Sequence, residues 1–302
     1  MAKKGVVLLA FGGADCLDAV EPFMCNLMGG RTPSPELVER TKARYMLIGG
    51  GSPLPGITYQ QAVEVEKILN QNGDFKVLPG MRYWHPFIAE SMHKMYDEGI
   101  KEIVALSLSP HYSRVSTGAY HTEIERVKCE IGSNVVIKYA AGWYEHPLYI
   151  AGLEARINET LANIPEDEKQ NLMIIFSAHS LPVSHIKDGD SYIEQLELTV
   201  SALRKQLPGY ETKLAYQSKG GGGGEWLGPE VEEVLAKLSE NTTALVVPIG
   251  FACDHIETLY DIDIAQKRYA EKCGIKFYRT PALNTSRLFM ECLADVVNKT
   301  ID

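Results

Sequence analysis

Two carboxylates four residues apart, Glu257 and Asp261, lie in the segment Ile249-Gly-Phe-Ala-Cys-Asp-His-Ile-Glu-Thr-Leu-Tyr-Asp-Ile-Asp263. On a helix that spacing puts them on one face about a turn apart, where like charges repel by roughly 0.2–0.5 kcal/mol. A cation relieves such repulsion, so the pair, with Asp263 beyond it, is a candidate for handling a metal. The β-branched run Ala244-Leu-Val-Val-Pro248 immediately before reads as a buried parallel strand. Ligands of open α/β sheets bind at the carboxyl ends of such strands. A second apolar run, Leu172-Met-Ile-Ile-Phe176, leads into Ser177-Ala-His-Ser-Leu-Pro182 and presents His179 at its own end. An imidazole beside a ladder of carboxylates has the donor set to bind a divalent metal and to move protons.

Each feature has a plainer explanation. His179 could simply be hydrogen-bonded in a turn. Asp254-His-Ile-Glu257 fits a helix N-cap followed by an acid at the third position, as in a capping box. Acids are in any case stabilised at a helix N-terminus. Capping does not reach Asp261 and Asp263, for which the plain reading is a solvated helix face. Ser180 lies beside His179, but no G-x-S-x-G elbow surrounds it, which argues against a serine hydrolase. Gly49-Gly-Gly-Ser52 and Lys219-Gly-Gly-Gly-Gly-Gly224 fit neither phosphate-binding fingerprint, so a nucleotide site is not expected. The glycine run reads as a flexible loop leading into Glu225-Trp-Leu-Gly-Pro229.

The elements that must position these residues repeat. Apolar strand-like runs alternate with amphipathic stretches, the pattern of an α/β protein. Strand ends are predicted near Gly12, Gly80, Pro110 and Trp143, and again near His179, Gln217, Gly250 and Leu283. The later spacings are 30 and 33 in the first set and 33 and 33 in the second, as after a duplication. The expected fold is two similar Rossmann-like units, residues 1–150 and 151–302, each a four-stranded parallel sheet flanked by helices. The first spacing breaks the match, at 68 residues from Gly12 to Gly80 against 38 from His179 to Gln217. The excess of 30 falls within residues 14–56, rich in Met and Leu, and reads as a lid inserted at a strand's carboxyl end; the plain alternative is a helical hairpin packed on the core.

Composition bounds the rest. The 302 residues are 45% hydrophobic and 23% charged, ordinary for a globular chain and enough for two core-forming units or one large α/β domain. A net charge of −9 argues against nucleic acid as a partner. No apolar run approaches the ~20 residues that span a bilayer. The apolar residues 5–11 lack the layout of a signal peptide, so a cytoplasmic location is expected. The six cysteines include no C-x-x-C pair, which excludes the usual zinc-ribbon and iron–sulfur spacings; reduced, buried thiols are expected.

Several segments together resemble the ferrochelatase family, whose members insert ferrous iron into a porphyrin. They are Gly49-Gly-Gly-Ser-Pro53, Gly80-Met-Arg-Tyr-Trp-His-Pro86, Ser109-Pro-His-Tyr-Ser113, Ser177-Ala-His-Ser-Leu-Pro182, Tyr216-Gln-Ser218 and Asp254-His-Ile-Glu-Thr-Leu-Tyr-Asp261. The resemblance implies a porphyrin cleft between two Rossmann-like halves and a last helix that crosses back to the first half. It implies His179 and Glu257 as the catalytic pair, and His179, Glu257 and Asp261 as metal-binding residues. As substrate-binding residues it implies Phe11, Arg31, Ser52, Arg82, Tyr83, Tyr112, Ser113, Gln217, Phe251 and His255. It further implies protoporphyrin IX or coproporphyrin III as the organic substrate, Fe²⁺ as the other, no permanently bound cofactor, and no iron–sulfur cluster. A peripheral membrane or pathway-enzyme contact is left open, and no obligate partner is evident. The resemblance departs at Ala265, where the family's acidic ladder often continues, and at Lys219 with its five glycines, where Arg-Val-Gly-Pro usually follows.

That chemistry suits the residues. A porphyrin must lose two pyrrole protons and buckle towards a metal that sheds water. A neutral imidazole accepts protons or ligates iron, and a carboxylate neutralises charge. Phe11, Tyr83, Trp84, Phe251 and the lid could form an apolar slot that grips the ring. Propionates call for rim cations such as Arg31, Arg44 and Arg114. The rival readings are a chelatase loading cobalt or nickel into another tetrapyrrole, a non-enzymatic haem or porphyrin carrier, and a two-lobed solute-binding protein.

Overall fold

The computed structural model describes residues 3–132, 134–220 and 223–301. Gly221 and Gly222 of the glycine run therefore lie outside the described residues. The chain divides into two compact units, Met1–Trp143 with Asn284–Asp302, and Tyr144–Leu283. The first holds β1 (Lys4–Ala10), β2 (Phe75–Met81), β3 (Glu102–Ser107) and β4 (Val136–Tyr139). The second holds β5 (Leu172–His179), β6 (Glu211–Gln217), β7 (Thr243–Pro248) and β8 (Lys276–Arg279). The sheet orders are β2-β1-β3-β4 and β6-β5-β7-β8, every pairing parallel. The two orders are the same permutation of chain order, so the repeat read from strand spacing is a repeat of topology.

Central strands are buried on both faces, and their composition follows from that. Val6 to Leu9 in β1, Ile174 to Phe176 in β5 and Leu245 to Val247 in β7 all have no exposed surface. The edge strands differ from the sequence-based expectation. β4 and β8 stop at Tyr139 and Arg279, four residues before Trp143 and Leu283. Each has a neighbour on one side only, and its ladder ends opposite Ala105 or Val246. The residues beyond form loops that lead into helices.

Those helices are exchanged between the units. Helix Pro147–Asn163 follows β4 but belongs to the second unit, where Tyr149 donates its hydroxyl to Ile249 O at 2.5 Å. Helix Arg287–Ile301 follows β8 but belongs to the first. There Phe289 is fully buried and its ring lies 5.4 Å from that of Trp143, while Lys138 Nζ donates to Ile301 O at 2.8 Å. Gln61 Nε2 donates to the carbonyl of Asn284, 2.8 Å away, and ties the start of this segment to helix Leu54–Leu69.

The segment that lengthens the first repeat contains helices Val20–Leu27 and Pro35–Leu47. The second starts where sequence signals place a start: Ser34 accepts from Leu37 N at 3.3 Å and Pro35 occupies the first turn. Phe23, Met24, Val38 and Tyr45 are buried, whereas Leu27, Met46 and Leu47 are 44%, 64% and 54% exposed. Among the described residues no two cysteines form a disulfide. Cys253 and Cys292 are buried as expected, but Cys16 and Cys129 are exposed because they sit on outward-facing positions. Among the described residues no helix is long and apolar enough to cross a membrane.

Because Phe289 is buried in the first unit, Phe289→Ala should lower the free energy of unfolding by ~3–5 kcal/mol. Urea denaturation followed by circular dichroism measures it. A loss within the ordinary surface range of about ±0.5 kcal/mol would mean that the last helix does not build this core.

Candidate active site

In the second unit, parallel pairing brings the ends of four strands to one sheet edge. His179 is the last residue of β5 and stands opposite Gln217, the last of β6. Its Nδ1 lies 2.6 Å from Ser180 O. A carbonyl only accepts, so Nδ1 carries a hydrogen and Nε2 is the atom left for chemistry. Tyr192 donates its hydroxyl to His179 O at 2.9 Å and pins the backbone. His255 is oriented in the same manner, its Nδ1 donating to Cys253 O at 3.1 Å. Phe251 packs against it with ring centroids 4.7 Å apart.

Glu257 sits between the two imidazoles. Its Oε1 is 3.5 Å from His179 Nε2 and its Oε2 is 3.8 Å from His255 Nε2. Burial opposes a charged His179, but the carboxylate of Glu257, the bond to Ser180 O and the charge of Asp261 outweigh it and push the imidazole up to about 9. Burial likewise opposes the charge on Glu257, and the two histidines hold its carboxyl well below the usual carboxylate range. The resting pair is therefore imidazolium and carboxylate. His179's side chain is 37% exposed, so water screens the pair and its contribution to stability is modest.

The capping-box reading of this segment does not survive. Asp254 accepts from Arg279 Nη1 at 2.8 Å instead of capping a helix. The turn is closed by Thr258, whose Oγ1 accepts from His255 N at 2.9 Å. Glu257 opens not an α-helix but a π-helix, Glu257–Gln266. Its i→i+5 bonds widen the turn beyond 3.6 residues and still leave residues four apart near one face. Asp261 accepts from Ser218 Oγ at 2.6 Å. Ser218 holds φ of 57°, a left-handed conformation uncommon for a residue with a side chain. Asp263 leaves the ladder altogether and pairs with Arg279 through Nε at 2.6 Å and Nη2 at 2.8 Å. It is half-buried against that guanidinium rather than freely solvated. Among the described residues, no three His, Cys, Asp or Glu side chains are arranged to hold a metal ion, so His179, Glu257 and Asp261 do not form one closed ligand set.

In the first unit the expected residues gather in an aromatic chain. Phe11, 43% exposed, lies 4.7 Å from Tyr83 and 6.4 Å from Phe23, and Phe23 lies 6.3 Å from Trp84. Arg82 stacks over Tyr83 at 4.8 Å and donates to Val115 O at 3.1 Å. Arg31 is exposed and donates Nε to Met28 O at 3.1 Å. Tyr112 is half-buried, and Arg44 and Arg114 are exposed. Ser52, Ser113 and Gln217 are buried. Ser113 caps the short π-helix Arg114–Gly118 by accepting from Ser116 N at 3.2 Å. Sequence reasoning placed Phe23 only within the inserted segment and Ser218 only within a family motif, and it missed Arg279; the partners of Ser218 and Arg279 are distant in the chain.

The pair generates a prediction. His179 above its ordinary 6.5 contributes stability that is complete below pH 6.5 and fades towards pH 9, while Glu257 contributes only above its ordinary 4.5. The stabilisation is thus fullest between those two values. Glu257→Gln removes the main opposition to burial, so His179 should release its proton at lower pH than in the parent chain. NMR titration of the His179 ring measures it, and an unchanged midpoint would detach the imidazolium from Glu257.

The family profile described as Ferrochelatase matches residues 3–301. A ferrochelatase from Geotalea uraniireducens is 40% identical, over 99% of this chain and 98% of its own. A coproporphyrin III ferrochelatase from Geobacillus kaustophilus is 36% identical, over 99% and 97%. Among solved structures, SirB from Bacillus subtilis with Fe³⁺ matches at TM-score 0.62 and 12% identity, covering 99% of this chain and 96% of that one, a likeness of fold alone. A profile match and relatives spanning nearly the whole length place the chain in the ferrochelatase family.

Proposed function

We infer that this chain inserts Fe²⁺ into a porphyrin, protoporphyrin IX or coproporphyrin III, as a lyase-class enzyme of haem biosynthesis. The observation that carries the mechanism is the carboxylate of Glu257 held between the Nε2 atoms of His179 and His255. In the resting state Glu257 is neutralised by a protonated His179. An arriving dication takes over that neutralising role, and the proton on His179 is no longer held. The freed Nε2 then accepts the hydrogen of a pyrrole N–H, leaving the nitrogen its electron pair for iron. His179 passes its own proton and then each of the two pyrrole protons in turn to water, and one dication enters the ring as two protons leave it, so charge balances.

In this reading iron is substrate and no resident cofactor or iron–sulfur centre takes part. Asp261 receives or relays the metal. Phe251, His255 and Gln217 in the second unit are contacts for the ring. In the first unit the contacts are Phe11, Arg82, Tyr83 and Tyr112, supported by Ser52 and Ser113, with Arg31, Arg44 and Arg114 for propionates. We place the enzyme in the cytoplasm, with peripheral membrane contact as a further part of the proposal. Metal-dependent turnover separates this reading from a porphyrin carrier.

Anaerobic incubation with Fe²⁺ and each porphyrin, followed by loss of porphyrin fluorescence, tests it. His179→Ala should abolish insertion while circular dichroism stays unchanged. Glu257→Gln should cost at least ~10²-fold, the low end of general acid–base contributions. Asp261→Asn should be milder and felt mainly in metal dependence. Full activity in folded His179→Ala and Glu257→Gln would sink the assignment.

The inserted segment 14–56 adds a separate expectation. Its exposed Leu27, Met46 and Leu47 are proposed to cover bound porphyrin, at ~25 cal/mol per Å² of apolar surface removed from water. Limited proteolysis should cut this segment more slowly with porphyrin present. Identical cutting with and without it would make the two helices packing elements only.

A further inference from the structure

We propose that Arg279 is a positioning residue for metal insertion: from the end of β8 it grips the chain on both sides of Glu257 and so fixes where that carboxylate points. The inference rests on Glu257 being the metal-handling carboxylate. Nη1 of Arg279 donates to Asp254 Oδ1 at 2.8 Å, three residues before Glu257. Nε and Nη2 donate to the two oxygens of Asp263 at 2.6 and 2.8 Å, six residues after it. The same Nη1 donates to Thr280 O at 3.0 Å, which ties the guanidinium to its own strand end. Arg279 pairs with Val246 in the β7–β8 ladder, so the grip is referenced to the sheet.

The segment so held needs outside support. A π-helix is rare and is found mostly as a single turn at functional sites. Here it runs from Glu257 to Gln266, and its first residue follows a cap with no side-chain bond. Asp254, Glu257, Asp261 and Asp263 place four negative charges within ten residues. Arg279 neutralises the outer two, Asp254 and Asp263, so the segment can fold tightly while Glu257 and Asp261 keep their charge for other partners. The planar fork matters, because three of its N–H directions are used at once on two carboxylates. Lysine supplies the charge without that geometry. With 11% of its side chain exposed, Arg279 is hidden from substrate and acts only through what it holds.

The test is a double-mutant cycle on the full chain, read by kcat, KM for Fe²⁺, metal-free porphyrin binding by fluorescence, and thermal unfolding. Arg279→Lys should lower kcat by ~10–10²-fold, the scale of an ångström-sized misplacement, and raise KM for Fe²⁺. Porphyrin affinity should be unchanged. In the Glu257→Gln background the same change should have little further effect, since no carboxylate remains to be aimed. Losses that multiply in the double variant, or a fall in porphyrin affinity that parallels the fall in kcat, would reduce Arg279 to a stabiliser of the fold. If Arg279→Lys does not fold, Asp263→Asn carries the same cycle, because it leaves the bond to Asp254 intact. Parent chain that inserts no iron would overturn the proposed function itself, whereas an active parent with multiplying losses overturns only the positioning role.

Discussion

Parallel pairing is the constraint on which the chemistry of the second unit depends. When every strand of a sheet points one way, every carboxyl end opens on the same edge, and neighbours in the sheet become neighbours in the site. The order β6-β5-β7-β8 puts β5 between β6 and β7, with Ser177 opposite Pro248 and His179 opposite Gln217. The loop after β7 must therefore leave beside His179. A Cβ built on Gly250 would stand 3.4 Å from Ala178 Cβ and 3.9 Å from His179 N. Seven residues later the chain reaches Glu257, with its carboxylate 3.5 Å from Nε2. Residues 78 positions apart meet because the register leaves them nowhere else to go.

Charge then decides which acids are free to act. The segment 254–263 carries four carboxylates, more than a helix face tolerates unpartnered. Two are absorbed by Arg279, in a partly buried cluster whose disruption costs about 3–5 kcal/mol in comparable ion pairs. One, Glu257, is held between imidazoles whose Nδ1 atoms are fixed on backbone carbonyls. The proton on His179 thus occupies the electrostatic role that a dication takes in the proposed reaction. In that proposed reaction metal and proton compete for the same negative charge.

Much of this was legible in the sequence, for reasons that also mark the limits. The fully buried strands announce themselves as β-branched runs, and the later spacings of their ends reveal the repeat because those connections are of nearly equal length in both halves. His179 is legible as the residue that ends a strand, and Glu257 as a carboxylate shortly after the next one, which the fold does bring together. The π-helix is not, since residues four apart share a face in either winding and the sequence pattern cannot distinguish i→i+4 from i→i+5. Asp254 looked like a cap because Asp-x-x-Glu is local, whereas its actual partner Arg279 is 25 residues away. An arginine closing the short strand Lys276-Phe-Tyr-Arg279 was the available hint, one that becomes specific only when the sheet order is known. Phe23 was hidden for the opposite reason, a core-type residue inside a segment that has no counterpart in the second half.

Ser218 shows how the same site tolerates local cost for direction. A non-glycine residue at φ 57° costs on the order of 1–3 kcal/mol and persists only where its surroundings over-determine it. Here the backbone twist at the end of β6 turns the hydroxyl onto Asp261 at 2.6 Å. Glycine would remove the strain and the hydroxyl together. The carboxylate so restrained lies one turn along from Glu257, at the point where the ladder ends, because the next position at that spacing is Ala265. With no further acid along that face, the orientation of Asp261 carries weight that a longer ladder would share. A strained serine aimed at the last carboxylate fixes its direction without adding charge.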